Sequence, residues 1–501
     1  MARGTRTLGL PLILPLLISF QHCHGKRQPP PAKEQIAIEG NLLGERKIRI
    51  ALLEPCLLAM AGAATGTGGS SGSGGGRMAE PVAFSYKNIK NRVQEAVLEE
   101  IYGRIAANLA FTGLYQTVHR AGRCQAATAY VTRGGDGDIS DYIFSGEFSS
   151  DFDFALTIDV VASSGGRVKL RLFLWDIAGG RLAAGKYYLL DTNGNNSNSY
   201  RLSNVISDVV FEKTTGERGG IFDSRIAYIR ETGEPGNRKK QVVIMTFDGT
   251  RTVTITDSKN IKLTPVFSRH SQDEIYYLEY TEEGPFIVKH NMRRETFTRI
   301  SSGHSMTSSA NCNPNGKVDQ LVLAGAEQDA DTDLYLFDID DNRNVKLTKG
   351  GGINTSPSFS PEGGRIVFVS NRDGQKKLYL KDLRTGRETL LSRSGGTYDK
   401  PSWSPDGRLI SFVRTGNGSF YIGLMDSEGK NIRYLTKSFL VEGVKWSPNS
   451  RYLIYTKQTS PVGPGSVPGI YIMDILTKEE IRLNTPQNMG ASDPDWIMNP
   501  H

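Results

Sequence analysis

The feature that most constrains this chain is a motif that returns every 43 to 50 residues through its second half. An aromatic residue is followed by Ser or Asn, then Pro, a variable position and Gly. Trp403-Ser404-Pro405-Asp406-Gly407 is the clearest copy, and Phe359-Ser360-Pro361-Glu362-Gly363 and Trp446-Ser447-Pro448-Asn449 match it well. Cys312-Asn313-Pro314-Asn315-Gly316 and Phe267-Ser268-Arg269 are degenerate copies, and Trp496 ends the series. Such a period, with strand-type patterning inside it, marks the blades of a β-propeller.

Each period has the same inner order. In the one at Trp403, a short strand ends at the aromatic residue and Pro405-Asp406-Gly407 turns the chain, Pro presetting φ and Gly accepting a positive one. Leu409 to Val413 is the second strand, Asn417-Gly418 turns into Phe420 to Met425, and Ser427-Glu428-Gly429 leads to an outer strand, Ile432 to Leu435. Four antiparallel strands make one blade. At the start, Arg225 to Ile229, Val242 to Phe247 and Arg251 to Thr256 lack a first strand, while Asp495-Trp496 is a first strand with nothing after it. Three strands from one end and one from the other complete a sixth blade and cover the sheet edges.

Before the repeats, hydrophobic periodicity changes character. Val93, Val97, Ile101, Ile105 and Leu109 recur every four residues, which predicts a helix, with Gly113 placed to cap it. Ile48 to Leu53, Tyr142 to Phe148, Phe154 to Val161, Val168 to Trp175 and Gly185 to Leu190 read as strands, and Leu202 to Phe211 as a second helix. The expected fold is therefore an α/β N-terminal domain followed by an all-β six-bladed β-propeller. Its boundaries are a signal peptide at 1–25, an exposed arm at 26–46, the α/β domain at 47–213, a linker at 214–220 and the propeller at 221–501. Residues 61–76 are almost entirely Gly, Ser, Thr and Ala and read as a flexible loop inside the α/β domain.

Arg3 and Arg6 precede an apolar run from Leu8 to Phe20, and Cys23 and Gly25 supply small residues for cleavage after Gly25. The run is shorter than the roughly 20 residues of a spanning helix. Export to the periplasm is the expectation. The rival is a lipoprotein signal acylated on Cys23, against which Phe20-Gln21-His22 are too bulky or polar. Cys56, Cys124 and Cys312 are scattered, without zinc-type spacing, and the sequence selects no disulfide among them. A formal net charge of +7 over 501 residues, with no compact basic run, argues against nucleic-acid binding.

No catalytic set, metal site or cofactor site is expected. Gly68-Gly69-Ser70-Ser71-Gly72 fits the serine-hydrolase pattern but lies in the low-complexity run, with no strand or helix to hold a nucleophile. Asp329, Asp331 and Asp333 alternate like calcium ligands, yet Leu334 stands where the calcium loop needs Gly and the closing Glu is missing. His119, His270, His290, His304 and His501 are dispersed.

Val209-Val210-Phe211-Glu212-Lys213-Thr214-Thr215-Gly216, Gly220-Ile221-Phe222-Asp223-Ser224-Arg225-Ile226-Ala227-Tyr228, and the pair Ala107-Asn108-Leu109 and Thr112-Gly113-Leu114-Tyr115 carry a further signal. With the blades, they make the chain from about Ile48 to Trp496 resemble the TolB family, periplasmic propeller proteins of the Tol–Pal cell-envelope system. The resemblance implies a non-enzymatic protein that binds a peptidoglycan-associated lipoprotein through its propeller and supports outer-membrane integrity and cell division. It also implies a TolA-like inner-membrane partner, but Lys26-Arg27-Gln28-Pro29-Pro30-Pro31 departs from the family's segment for that contact. The alternatives are another exported propeller binding module or, as an enzyme, a propeller acting on polysaccharide, similar to oligogalacturonate lyases. The α/β N-terminus argues against the enzyme.

A propeller gathers loops at its channel mouth, suited to gripping a protein. Those before each first strand and between second and third strands open on one face. They are expected to carry His304, Asn354, Arg372, Tyr398, Asp399, Lys400 and Glu442. Tyr and Arg are the types that most often dominate interfaces.

Overall fold

The structure is a computed structural model that describes residues 47–53, 57–60, 84–87, 92–120, 151–192, 197–234, 237–315, 319–327, 331–349, 351–463 and 465–499. The expected signal peptide, the arm at 26–46, the Gly/Ser run, the strand at Tyr142–Phe148 and three of the four cysteines lie outside them.

The N-terminal elements are β1 (Ile48–Leu53), β2 (Leu57–Met60), β3 (Phe84–Lys87), α1 (Arg92–Phe111), β4 (Tyr115–Arg120), β5 (Phe154–Ser164), β6 (Arg167–Asp176), β7 (Arg181–Asp191) and α2 (Ser197–Thr215). β1 lies parallel to both β4 and β5, and β5, β6 and β7 form an antiparallel meander. The four-residue spacing in α1 buries Ile101, Ile105 and Leu109 against Leu156, Ile158, Leu170 and Leu172 of the sheet. Gly113 takes φ +71° at the helix end, a conformation a side chain would strain. α1 and α2 meet through Asn108, whose Nδ2 donates to Asn204 Oδ1 and Ser207 Oγ at 2.9 and 3.0 Å. The sequence reading missed β2, β3 and β4, and it started the second helix five residues late.

Six four-stranded antiparallel sheets follow among the described residues. Blade 2 begins at Ile261–Phe267, blade 3 at Met306–Cys312, blade 4 at Asn354–Phe359, blade 5 at Thr397–Trp403 and blade 6 at Leu440–Trp446. These first strands contact one another around the ring and are therefore the innermost. Blade 1 joins Ser224–Thr232, Lys239–Thr246 and Thr252–Thr254 to the late strand Gly490–Met498, with Ala227 opposite Asp495 and Ile226 opposite Trp496. The expected three-plus-one closure is present.

The α/β region and the propeller share one apolar core. Phe111 and Phe222 each meet Phe247 edge-on at 5.2 Å, and Phe211 packs on Phe222 and Tyr452. Asp208 of α2 accepts the backbone N–H groups of Ile221, Phe222 and Asp223 at 2.7 to 2.9 Å, pinning the entry to blade 1. A Cβ on Gly220 would stand 1.9 Å from that carboxylate, so only glycine passes there. Tyr200 lies between the guanidinium groups of Arg104 and Arg251, 4.0 and 3.8 Å from its ring centre. Arg451 bridges Glu217 and Asp474 at 2.6 and 2.8 Å.

These contacts have one address. Asp248 and Arg251 lie on the turn between the third and fourth strands of blade 1, and Arg451 on the turn between the first and second strands of blade 6. Strands alternate in direction, so these turns share one end of the propeller. The loops between blades, and between second and third strands, open at the other end.

Candidate functional site at the channel mouth

Every innermost strand carries a β-bulge near its middle. Thr264, Ser309, Ser356, Lys400, Gly443 and Asp493 hold the bulge with φ between 44° and 63°. Five of them are not glycine, and a left-handed residue with a side chain costs about 1–2 kcal/mol. Backbone strain of this kind persists where the surrounding structure over-determines it. Pro265, Pro357, Pro401 and Pro494 follow directly. A bulge leaves one residue out of the ladder, so the missing N–H costs little there. The ring surrounds a cavity, open to solvent, lined by Thr264, Ser309, Ser356, Lys400, Lys445 and Asp493 among others.

At three of the six blade motifs the residue before the first motif position stitches neighbouring blades. Asn311 Oδ1 accepts the Phe359 N–H at 2.9 Å, Ser358 Oγ the Trp403 N–H at 3.1 Å, and Asp495 Oδ2 the Phe267 N–H at 2.9 Å. Asp495 also accepts from Arg269 Nη2 with both carboxylate oxygens, at 3.0 and 3.2 Å.

The channel wall is electrically divided. Blades 2, 3 and 4 present hydroxyl groups at the bulge, whereas blades 5, 6 and 1 present Asp399, Lys400, Glu442, Lys445 and Asp493. Burial works against the Lys400 charge, yet Asp399, Asp493 and Glu442 outweigh it and hold the ammonium above its usual range. Burial, then repulsion from Asp493, lifts the Glu442 carboxyl. Burial lowers Lys445, opposed by Asp495. Asp399 resists burial through Lys376, 2.7 Å away, and Lys400, and stays below the ordinary carboxylate range.

The structure relocates several of the sequence candidates. Tyr398, Asp399, Lys400, Glu442 and Asn354 belong to innermost strands rather than loops. Tyr398 is fully buried, packs at a tilt on Phe412 and shares a 2.6 Å hydrogen bond with Ser394 Oγ, so it offers no surface to a partner. Buried Asn354 donates to Asp333 at 3.1 Å. Arg372 does sit on the expected turn, but its guanidinium folds back onto Glu388, Asn354 and the Tyr379 ring. His304 lies half-buried against Tyr335, ring centres 4.1 Å apart. Asp399, Lys400 and Glu442 come together in the channel, and the others hold the loops that frame it.

Apolar side chains on this face escaped the sequence reading. Met306, Ile353 and Phe439 stand before or at the start of first strands and are 42–44% exposed, and Val462, between the second and third strands of blade 6, is 77% exposed. The available signal was an apolar residue inside a turn, where polar types are usual. Asp329 lies outside the described residues; Asp331 accepts the Gly352 N–H, and Asp333 is buried against Thr348, Asn354 and Lys346. Cys312 is buried beside Asp319, its thiol raised by burial. Among the described residues no cluster of three His, Cys, Asp or Glu is arranged for a metal, and no helix is long and apolar enough to cross a membrane.

Comparison with known proteins agrees with this architecture. The TolB beta propeller domain matches residues 211–499. The Tol-Pal system protein TolB of Gluconobacter oxydans is 30% identical over 443 residues, covering 87% of this chain and 90% of the relative. That of Anaplasma marginale is 34% identical over 156 residues, 31% of this chain and 34% of the relative. The crystal structure of TolB from Acinetobacter baumannii superimposes with a TM-score of 0.69 at 18% identity, over 92% of this chain and 98% of the other. With a propeller match over more than half its length and a relative aligned nearly end to end, this chain belongs to the TolB family.

Proposed function

We propose that this chain works in the periplasm as the TolB component of a Tol–Pal system, binding a peptidoglycan-associated lipoprotein at the open channel mouth without catalysing a reaction. One observation carries the reading: the α/β region occupies the opposite end of the propeller, leaving a mouth rimmed by Met306, Ile353, Phe439 and Val462 around a charged channel. An apolar rim over desolvated polar groups has the anatomy of a protein interface. Lys400 and Glu442 supply charge from within, while Arg372, Tyr398 and Asp399 fix the inner strands and turns. Outer-membrane integrity and cell division follow from the family role. Within this reading the chain divides at 47–213 and 221–501, and an export signal precedes them.

Calorimetric titration of the mature chain with the soluble part of its own peptidoglycan-associated lipoprotein tests the proposal. Phe439→Asp and Val462→Asp are each expected to weaken binding by tenfold or more, about 1.4 kcal/mol. Val253→Asp, on an outer strand away from the mouth, serves as the control. Affinities within twofold of wild type for both mouth variants would show that the lipoprotein binds elsewhere.

A further inference from the structure

The meander of the α/β region ends in an unusual edge. β7 runs for eleven residues, and among the described residues it pairs with β6 alone. Among the described residues no further strand pairs with its other side, where the Asp191 carbonyl accepts from Asn198 Nδ2 at 3.5 Å, and proteins normally protect such an edge with charge, Pro, a bulge or brevity. β7 has one bulge, at Ala183, yet it is long, lacks Pro and is apolar where it should be guarded. Leu182, Tyr187 and Leu189 are 44, 60 and 67% exposed. Beyond the bulge the alternation puts Gly185, Tyr187 and Leu189 on one face, opposite Phe173, Arg171 and Lys169 of β6.

That face forms a continuous band. Gly185 leaves room for Phe173 to lean over the edge strand, since a Cβ there would meet its ring at 3.1 Å. Phe173 meets the buried Trp175 edge-on at 5.5 Å, and the band runs from Phe173 through Tyr187 to Leu189. Its border is basic. Lys169 stands 4.9 Å from the Tyr187 ring centre, and Arg167 and Lys186 are exposed on the same two strands. Of the three carboxylates on β5, β6 and β7, Asp159 is engaged by Arg171 and Asp176 by Arg181, while Asp191 at the end of β7 stands opposite Arg167, so Lys169 and Lys186 carry the basic character.

We propose that the β7 edge is a second docking site, independent of the channel mouth, which takes an extended segment of another protein as an added strand. In strand addition, main-chain bonds supply affinity and alternate side chains supply specificity. The band calls for apolar residues at every second position of that segment. Lys169 and Lys186 call for acidic residues between and beside them.

Photo-crosslinking in cells that express the full chain tests this. A photoreactive phenylalanine replaces Leu182, Tyr187 or Leu189 in turn, with Val253 on a propeller edge as the control position, and adducts are sequenced by mass spectrometry. The expected result is one acidic, apolar-alternating segment from another protein, its adduct sites stepping by about two residues for each two-residue step along β7. Lys169→Glu with Lys186→Glu should cut adduct yield at Tyr187 at least fivefold without moving the melting temperature. No adduct, adducts only with a second copy of the chain, adducts shared with Val253, or a yield unchanged by charge reversal would each overturn the proposal.

Discussion

Replacing Trp496 tests the closure of the ring. Its side chain is 2% exposed, belongs to the core shared with the α/β region, and donates from Nε1 to Ser224 Oγ at 2.7 Å. Truncating a buried aromatic residue to Ala costs about 3–5 kcal/mol. Trp496→Phe retains most of the apolar volume and loses the hydrogen bond, for about 1 kcal/mol, since the Ser224 hydroxyl keeps its bond to the Ile221 carbonyl. At roughly 2–4 °C per kcal/mol for a domain of this size, the Ala variant should melt about 10 °C low and the Phe variant a few degrees low. Deleting residues 490–501 removes the whole strand, so it should exceed both and promote self-association through the exposed Ser224–Thr232 edge. Scanning calorimetry with sedimentation reads all three. If Trp496→Ala and the deletion both melt within 2 °C of wild type and remain monomeric, the last strand does not hold the ring together.

Two further outcomes follow from the junction. Burial, working against three backbone N–H bonds, pushes the Asp208 carboxyl up from 3.8 to about 6. The folded protein therefore binds its proton more tightly than the unfolded chain. The stabilisation is complete below about pH 4 and is lost as pH rises to 6, a difference of roughly 3 kcal/mol. Asp208→Asn should flatten that stretch of a stability–pH curve in urea titrations, and an unchanged slope would place the effect elsewhere. Arg451→Met leaves Glu217 and Asp474 facing each other without a cation; a loss of about 3–5 kcal/mol is expected in the same titrations, and the double change with Glu217→Gln should recover part of it.

The blades were legible because their turns need particular residues: Gly407 and Gly363 adopt φ of 75° and 72° where the repeat places them. Closure was legible by counting strands. The bulge ring was not, because Thr264, Ser309, Ser356, Lys400 and Asp493 accept left-handed geometry without the glycine that usually announces it. A signal existed in Pro265, Pro357, Pro401 and Pro494, each two residues before a motif aromatic. Gly395-Gly396-Thr397-Tyr398-Asp399 resembles a surface turn, but the strand begins at Thr397 and the Tyr398 ring turns into the core. β4 was hidden because Tyr115-Gln116-Thr117-Val118-His119-Arg120 has no apolar alternation, its place being set by parallel pairing with β1.

The late strand Gly490–Met498 connects the two ends of the molecule. At its bulge, Asp493 faces the channel and raises Glu442 while supporting Lys400. Two residues on, Asp495 holds blade 2 through Phe267 and Arg269. Next, Trp496 enters the core shared with α2, and Asn499 bonds both the backbone and the carboxylate of Asp223 at 2.8 Å. Asp223 in turn receives Arg201 of α2 at 3.3 Å. Channel wall, ring closure and the grip on the α/β region are thus consecutive duties of one nine-residue strand and the turn after it. Under the proposed function, a partner seated in the mouth against Lys400 and Glu442 would rest, through Asp493, on the same strand that anchors α2. Substitution at Asp493 is the change that separates these duties: its carboxylate serves the channel, while Asp495, Trp496 and Asn499 carry the closure.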